Sequence, residues 1–431
     1  MKSFTYVLTD PEGLHARPAV TISQTCVQLQ SAVTFAYNGK TASGNNVLQL
    51  LALGAKQGAE LEVTIEGPDE EEAVEKVLHD LRHKAEEHSA KPLRVAFFGT
   101  KDYDRLFFSE LAKDKGPTAY NCDIHYFTTR LTPETANLAH GYDAVCIFVN
   151  DECPRSVVEE LHEGGVKLIL LRCAGFNNVD MTAAKECGMT VVRVPAYSPY
   201  AVAEHAMSII QAANRRLCKA YNKVNDNNFA LSGLLGLDLH NKTAGILGTG
   251  RIGQCFARIC KGYGMTVIGW DAYPNQKLVD EGLLTYVTKE ELLRKSDLIS
   301  LHAPLIMGEG GTYHMINKDT IALMKDNVML VNTARGGLID AEALIDALKA
   351  RKFHAVALDV YEGEDSNVYT DHSDDYLETD ITARLTMFPN VVLTSHQAFF
   401  TREALQAIAA TTMENARNFN RGRELGIAEV K

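Results

Sequence analysis

The sequence predicts an α/β protein: two doubly wound parallel-sheet domains behind a small α+β domain. Three observations carry this. Apolar strand-like runs alternate with helical stretches from Leu93 to His396, the pattern of parallel sheets covered on both faces. The stretch before them reads instead as β-α-β-β-α-β-α, with a hairpin signal at Asn38-Gly39. A polar stretch ending in proline, His83 to Pro92, separates the two. A chain of 431 residues exceeds what one core organises, so several domains are expected.

Taken in order, residues 2–8 alternate like a half-buried strand. Pro18 suits the first turn of a helix, where its missing N–H is not needed. Val33 to Tyr37 reads as a strand, Val47, Leu48, Leu50 and Leu51 as a short helix, and Ala59 to Glu66 as another strand. Asp69 opens a charged helix, with Glu72 placed for a capping box. Past the linker, assigned to 86–92, strands are expected at Leu93 (LRVAFFG), 144–149, 167–171 and 190–194. One long helix, roughly Ala201 to Lys223, follows Ser198-Pro199. A second α/β run has strands near 243–247, 265–269, 298–302, 328–332, 355–359 and 391–394, and Thr401 to Arg421 closes the chain as an amphipathic helix.

Composition narrows the function. The chain is 46% hydrophobic and 23% charged with a formal net charge of −12, which suits a soluble globular protein and disfavours nucleic acid and anionic membrane as partners. Nine scattered cysteines, odd in number and without a paired C-x-x-C, suit reduced thiols in the cytoplasm better than disulfides or zinc. No signal peptide is read at the N-terminus, and no apolar run approaches the roughly 20 residues that span a bilayer. No H-E-x-x-H or similar motif is present, so no metal is expected.

The strand-like TAGIL is followed by Gly248-Thr249-Gly250-Arg251-Ile252-Gly253, then a helix, then a strand ending in Asp271. In that context the glycines Gly248, Gly250 and Gly253 read as a dinucleotide-binding turn. They allow a tight turn and let a pyrophosphate approach the helix start. Asp271 would bond the ribose hydroxyls and repel a 2′-phosphate, favouring NAD over NADP. Both α/β domains are therefore expected to be Rossmann-like.

Arg335, Glu364 and His396 each stand just beyond an expected parallel strand, where ligands bind in open α/β sheets. The guanidinium can clamp a carboxylate and polarise a ketone. The imidazole can donate a proton as hydride arrives, and a carboxylate beside it fixes its orientation and favours its protonated form. His205 and His302 read as core histidines.

These residues bring a family into view. Residues 94–425 resemble the D-specific 2-hydroxyacid dehydrogenases, and within them the fermentative D-lactate branch. The matching stretches are RCAGFNNVD (172–180), YSPYAVAEHA (197–206), GTGRIG (248–253), LHAPL (301–305), VNTARGGLID (331–340), LDVYEGE (358–364) and SHQAFFT (395–401). The resemblance implies Arg335, Glu364 and His396 as catalytic residues, and pyruvate or a similar 2-keto acid as substrate. It puts Ala174, Gly175, Tyr197 and Phe399 at the substrate, and Arg251, Ile252, Ala303, Pro304, Thr333 and Asp359, with Asp271, at NAD. It also implies a substrate domain of residues 93–196 and 400–431 around an NAD domain of 197–399, and a homo-oligomer. Ile306-Met307-Gly308-Glu309-Gly310-Gly311 departs from the family in being longer and richer in glycine.

Near the start stands Gly13-Leu14-His15-Ala16-Arg17-Pro18-Ala19. A phosphoryl group on His15 could rest on free N–H groups at the helix start, with the Arg17 fork beside it. With LGAKQGAEL (53–61) and the element order, residues 1–85 resemble the histidine-containing phosphocarrier HPr, an open-faced sandwich. That resemblance implies phosphorylation of His15, enzyme I of the phosphotransferase system as donor, and Val47, Leu48 and Leu51 as part of a docking surface. Asn46 stands where that family has a regulatory serine. Three readings remain for the whole: a dehydrogenase with a phosphocarrier-like regulatory domain, an NADH-sensing binding protein, and a phosphoryl carrier or docking module tethered to a dehydrogenase fold.

Overall fold

The computed structural model describes residues 1–9, 13–89, 91–113, 120–364, 367–375, 377 and 380–430, without the side chains of Arg17 and of residues 82–89. Its strands form three sheets. The first is antiparallel, in the order Lys2–Val7, Glu60–Glu66, Ala32–Tyr37, Lys40–Ser43. Alternation along Glu60–Glu66 buries Leu61, Val63 and Ile65. They pack with Ile22 of helix Ala16–Gln28 and Ala73 and Val77 of helix Glu70–Ser89, which makes the open-faced sandwich. Asn38 and Gly39 both take positive φ, 48° and 76°, as the tight hairpin turn requires. The Asp69 carboxylate reaches the Gln30 amide and the Ser31 hydroxyl, while Glu72 pairs with Lys76. The residues assigned to a linker, 86–92, differ from expectation. Helix Glu70–Ser89 runs into them, because a polar, charged stretch without glycine satisfies helix propensity as readily as a loop. Residue 90 lies outside the described residues.

The second sheet is parallel, in the order Cys122–Tyr126, Leu93–Phe97, Ala144–Ile147, Leu168–Leu171, Thr190–Val192. The edge strand Cys122–Tyr126 was not anticipated. Its sequence, CDIHY, is half-polar because it is only half-buried at the edge. Helix Arg402–Asn420 packs Ala409, Met413 and Ala416 against Val95, Phe97 and Leu170 of this sheet, and Thr401 caps it through the Ala404 amide.

The third sheet has seven parallel strands, in the order Thr285–Tyr286, Thr266–Trp270, Thr243–Leu247, Leu298–Leu301, Val328–Asn332, Phe353–Leu358, Val391–Leu393. Thr285–Tyr286 is too short to show a period and was missed. Helix Pro199–Asn214 packs into the core of this sheet. The single helix expected from Ala201 to Lys223 is in fact two. Arg216 takes a left-handed φ of 53°, which a right-handed helix cannot continue through, and a second helix starts at Leu217–Asn225. The Arg216 guanidinium holds the break, donating to the carbonyls of Ala213 and His354.

Both parallel sheets reverse their strand order beside their first strand. The reversals fall between Leu93–Phe97 and Ala144–Ile147, and between Thr243–Leu247 and Leu298–Leu301. Crevices at such points hold ligands. Phe256, fully buried on helix Arg251–Gly262, anchors the layer beside the second reversal, with its ring 5.2 Å from that of His302. Phe256→Ala should cost about 3–5 kcal/mol of stability. The urea midpoint of unfolding reads this, and an unmoved midpoint would contradict the anchoring role.

Candidate active site

A cavity of about 540 Å³ opens at the carboxyl ends of the strands, walled by residues that follow both parallel sheets. Ala174, Gly175, Tyr197 and Phe399 line it, as do Arg251, Ile252, Ala303, Pro304, Thr333 and Asp359. Arg335 and His396 share it. Glu364, Asp271 and the glycines Gly248, Gly250 and Gly253 are not on its wall.

Arg335 leaves strand Val328–Asn332 through a turn that Asn332 builds. This buried amide accepts from the Ala334 N–H (3.0 Å) and donates to the Arg335 carbonyl (2.9 Å). The guanidinium donates to the Ala334 carbonyl at 2.7 Å. A Cβ at Gly175 would lie 3.3 Å from Arg335 Nη2, so glycine there lets the guanidinium approach the 174–175 backbone.

His396 follows strand Val391–Leu393 in a left-handed conformation, φ 50°. Its amide donates to the Asp359 carbonyl (2.9 Å), and its carbonyl accepts from the Tyr369 hydroxyl (2.9 Å). His396 Nδ1 lies 3.0 Å from Glu364 Oε1, behind the cavity wall, and the Tyr361 amide donates to the other Glu364 oxygen at 3.2 Å. The pair leaves Nε2 as the remaining imidazole nitrogen of a cavity-lining histidine. The other histidine on the wall, His302, is a poor proton source: burial pushes its imidazole down to about 3. His205 stands apart from the wall, 3.2 Å from both Thr394 Oγ1 and Asp359 Oδ1.

The cavity wall around Tyr197 and Phe399 is aromatic. Burial pushes the Tyr197 phenol up to about 12, against the opposing pull of Arg335, so it stays neutral. Phe148 and Tyr369 complete a wall with Phe399, at ring separations of 5.7 Å for Phe148–Phe399 and 6.4 Å for Tyr369–Phe399. Sequence reasoning missed both. Tyr369 lies in a polar stretch with no motif, and Phe148 looks like any strand residue.

The cofactor side meets the steric demands of a dinucleotide. Gly248 has φ +95°, and a Cβ there would fall 2.7 Å from the His302 carbonyl and the Ala303 nitrogen. A Cβ on Gly253 would fall 2.1 Å from the Gly248 oxygen. Gly250 caps helix Arg251–Gly262 with nothing within 4 Å of where its Cβ would be, which leaves the helix start open to a pyrophosphate. Asp271 accepts from the Thr249 amide (2.6 Å) and hydroxyl (3.0 Å) and from the Tyr273 amide (2.9 Å), which ties the glycine turn to the end of the next strand. Thr333 Oγ1 is buried on the cavity wall without a hydrogen-bond partner, an atom that a bound polar group would satisfy.

At the other end of the chain, His15 is the N-cap of helix Ala16–Gln28. Gly13, at φ +69°, precedes it, and a Cβ there would overlap the Ala55 oxygen at 2.3 Å. The Arg17 side chain lies outside the described residues. Leu48 is exposed, with Val47 and Leu51 half-buried beside it. Asn46 accepts from the Gln49 amide and caps helix Val47–Ala52, which explains a polar residue at this position.

Comparisons with known proteins show the fold and the family. Residues 207–398 match the D-isomer specific 2-hydroxyacid dehydrogenase, NAD binding domain, and residues 2–82 match the PTS HPr component phosphorylation site. The D-lactate dehydrogenase of Escherichia coli strain K12 is 45% identical over 330 residues, spanning 77% of this chain and 98% of the relative. The pyruvate reductase of Chlamydomonas reinhardtii superposes with a TM-score of 0.73 at 41% identity, covering 79% of this chain and 99% of that one. The D-lactate dehydrogenase with NAD+ from Lactobacillus jensenii gives a TM-score of 0.65 at 28% identity, covering 78% and 100%. Behind an HPr-like N-terminal domain, the chain is an NAD-dependent enzyme and belongs to the D-isomer-specific 2-hydroxyacid dehydrogenases.

Proposed function

We propose that the protein reduces pyruvate to D-lactate and that its HPr-like domain regulates this reaction through phosphorylation of His15. The observation that carries the first part is the His396–Glu364 pair at 3.0 Å, facing the same cavity as Arg335. When bound, NADH supplies the hydride. Arg335 clamps the keto acid carboxylate and polarises its ketone, an electrostatic role that gains strength as the alkoxide forms. His396 gives its proton to that oxygen, and Glu364 holds the imidazole in place. Tyr197, Phe399 and Tyr369 give the cavity an aromatic wall that suits an apolar side chain on the keto acid. The names of the relatives, D-lactate dehydrogenase and pyruvate reductase, support pyruvate over other 2-keto acids.

The proposed domains are 1–85 for the carrier, 93–196 with 400–431 for substrate, and 197–399 for NAD. Nine free cysteines suit a reducing cytoplasm, and no helix among the described residues is long and apolar enough to cross a membrane. A homo-oligomer is supported by exposed Leu217, Tyr221, Val224, Phe229, Leu231 and Leu235, clustered on one stretch of chain.

His396→Ala should lower kcat for pyruvate by about 10²–10⁴-fold while NADH still binds. Steady-state kinetics at the pH optimum check this, and a loss under about tenfold would refute the proton-donor role. Asp271→Ala should relax the preference for NADH over NADPH, because the carboxylate no longer repels a 2′-phosphate. The ratio of the two kcat/KM values reads this; if it keeps its wild-type value, Asp271 is not the ribose ligand.

The regulatory part rests on the His15 position at a helix start and on the chemistry of the two halves. Enzyme I releases pyruvate from phosphoenolpyruvate as it charges its carrier, and the dehydrogenase consumes pyruvate. A phosphoryl group adds roughly two negative charges, enough to remake a contact between domains. Enzyme I with labelled phosphoenolpyruvate should label the wild type but not His15→Ala, and labelling should change kcat. An unlabelled wild type would end the relay reading. Label with unchanged kinetics would keep the relay and end the regulation.

A further inference from the structure

Glu362 is absent from the cavity wall and from every motif role above, yet several loops meet at its carboxylate. Oε1 accepts from the Tyr313 hydroxyl (3.2 Å) and from His314 Nε2 (2.9 Å), and Oε2 lies 3.4 Å from the Ala341 amide. The Tyr313 and His314 rings stack at 3.8 Å. The backbone beside them seats the turn that follows Arg335. The His314 amide donates to the Gly337 carbonyl (2.9 Å) and the Ile316 amide to the Leu338 carbonyl (3.0 Å). That turn also presses on the Glu362 backbone, since a Cβ on Gly336 would fall 2.3 Å from the Tyr361 oxygen and 2.8 Å from the Glu362 nitrogen.

The same knot reaches the cofactor wall. Thr312, next to Tyr313 in the chain, donates to the Pro304 carbonyl (2.5 Å) and accepts from the Ile306 amide (2.8 Å), so it staples the glycine-rich loop shut. Two residues beyond Glu362 stands Glu364, the partner of His396. The loops that carry Ala303 and Pro304, Arg335 and Glu364 therefore converge on one side chain.

We propose that Glu362, acting through Tyr313 and His314, is a positioning residue for the reaction. It holds the Arg335 guanidinium and the Glu364 carboxylate in register with the cofactor wall. This rests on the roles proposed above for Arg335, Glu364 and His396. The Glu362 side chain is 31% exposed, so its contact with His314 contributes little to global stability. Catalytic geometry is far more sensitive, because small misplacements of a reacting group cost large factors in rate.

The test uses the full chain, with pyruvate kinetics, NADH binding by fluorescence titration and thermal melting for wild type, Glu362→Ala, Glu362→Gln and His396→Ala. Glu362→Ala should lose about tenfold or more in kcat with its NADH affinity nearly unchanged. Glu362→Gln keeps an acceptor oxygen for Tyr313 and His314 and should recover most of the rate. A Glu362→Ala kcat within about twofold of wild type would overturn the proposal. So would NADH affinity that falls in step with kcat, or a glutamine variant as slow as the alanine one. A wild type inert toward pyruvate, or an undiminished His396→Ala, would instead remove the underlying reading of the site, and the positioning role with it.

Discussion

A fully buried carboxylate has to find donors for both oxygens, and Asp359 imposes that demand on everything around the cavity. Thr394 (2.5 Å) and the Gln397 amide (2.9 Å) serve one oxygen, with His205 beside it, and the Ala398 amide (2.9 Å) serves the other. Burial pushes the carboxyl up, but the bonds from His205, Thr394 and the two amides outweigh it and hold it below the usual range. To supply those donors the chain from Thr394 to Ala398 must wrap around Asp359. That wrapping puts His396 into its left-handed conformation, with its amide on the Asp359 carbonyl. The Asp359 amide in turn donates to the carbonyl of Asn332, whose side chain forms the Arg335 turn. One buried charge thus connects the positions of two proposed catalytic side chains. Leaving such a charge without its partners costs about 3–5 kcal/mol, so the geometry has little freedom to drift.

The part of the wall formed by Ala174 and Gly175 rests on a second buried charge. Arg172 begins the stretch that carries Ala174 and Gly175, and its guanidinium lies 3.5 Å from Asp104 and donates to the Gly99 carbonyl. It also sits over the rings of Phe97 and Phe148, at 4.5 and 5.0 Å. Burial pushes the Asp104 and Asp151 carboxyls up while Arg172 pulls them down, so the three groups depend on one another. The backbone facing the Arg335 guanidinium is therefore anchored from beneath, through Arg172, by Asp104, the Gly99 carbonyl and the rings of Phe97 and Phe148.

The parts most legible in the sequence were those where backbone chemistry leaves no alternative. Continuous apolar strands announced the two parallel sheets, and Asn38-Gly39 announced a turn that needs two positive φ angles. Arg335, Glu364 and His396 could be picked out because an ionisable residue just past an apolar strand is conspicuous, and the structure brings all three to one place. What stayed hidden depended on tertiary context. Cys122–Tyr126 carries polar residues because it is an edge. The helix break at Arg216 has no glycine or proline to mark it and is held by a bond to His354, far along the chain. Glu362 and Tyr369 act through contacts with residues 48 and 27 positions away, which no local pattern records.

The helix that runs into the expected linker changes how the two halves can communicate. A flexible tether of about ten residues would let the carrier domain sample many faces of the dehydrogenase. Helix Glu70–Ser89 instead extends about 30 Å as a rod. Strand Leu93–Phe97 begins shortly after its end, and three residues reach only about 10 Å. His15 caps a helix of the sandwich that packs on that same helix, so the helix and the short segment after it set the reach of His15. A phosphoryl charge on His15 would then act on the dehydrogenase surface that lies within reach of that helix and the short segment after it. Coupling between the two chemistries is thus a matter of which surface the helix and the segment after it bring within reach of His15, and the proposed regulation depends on that surface.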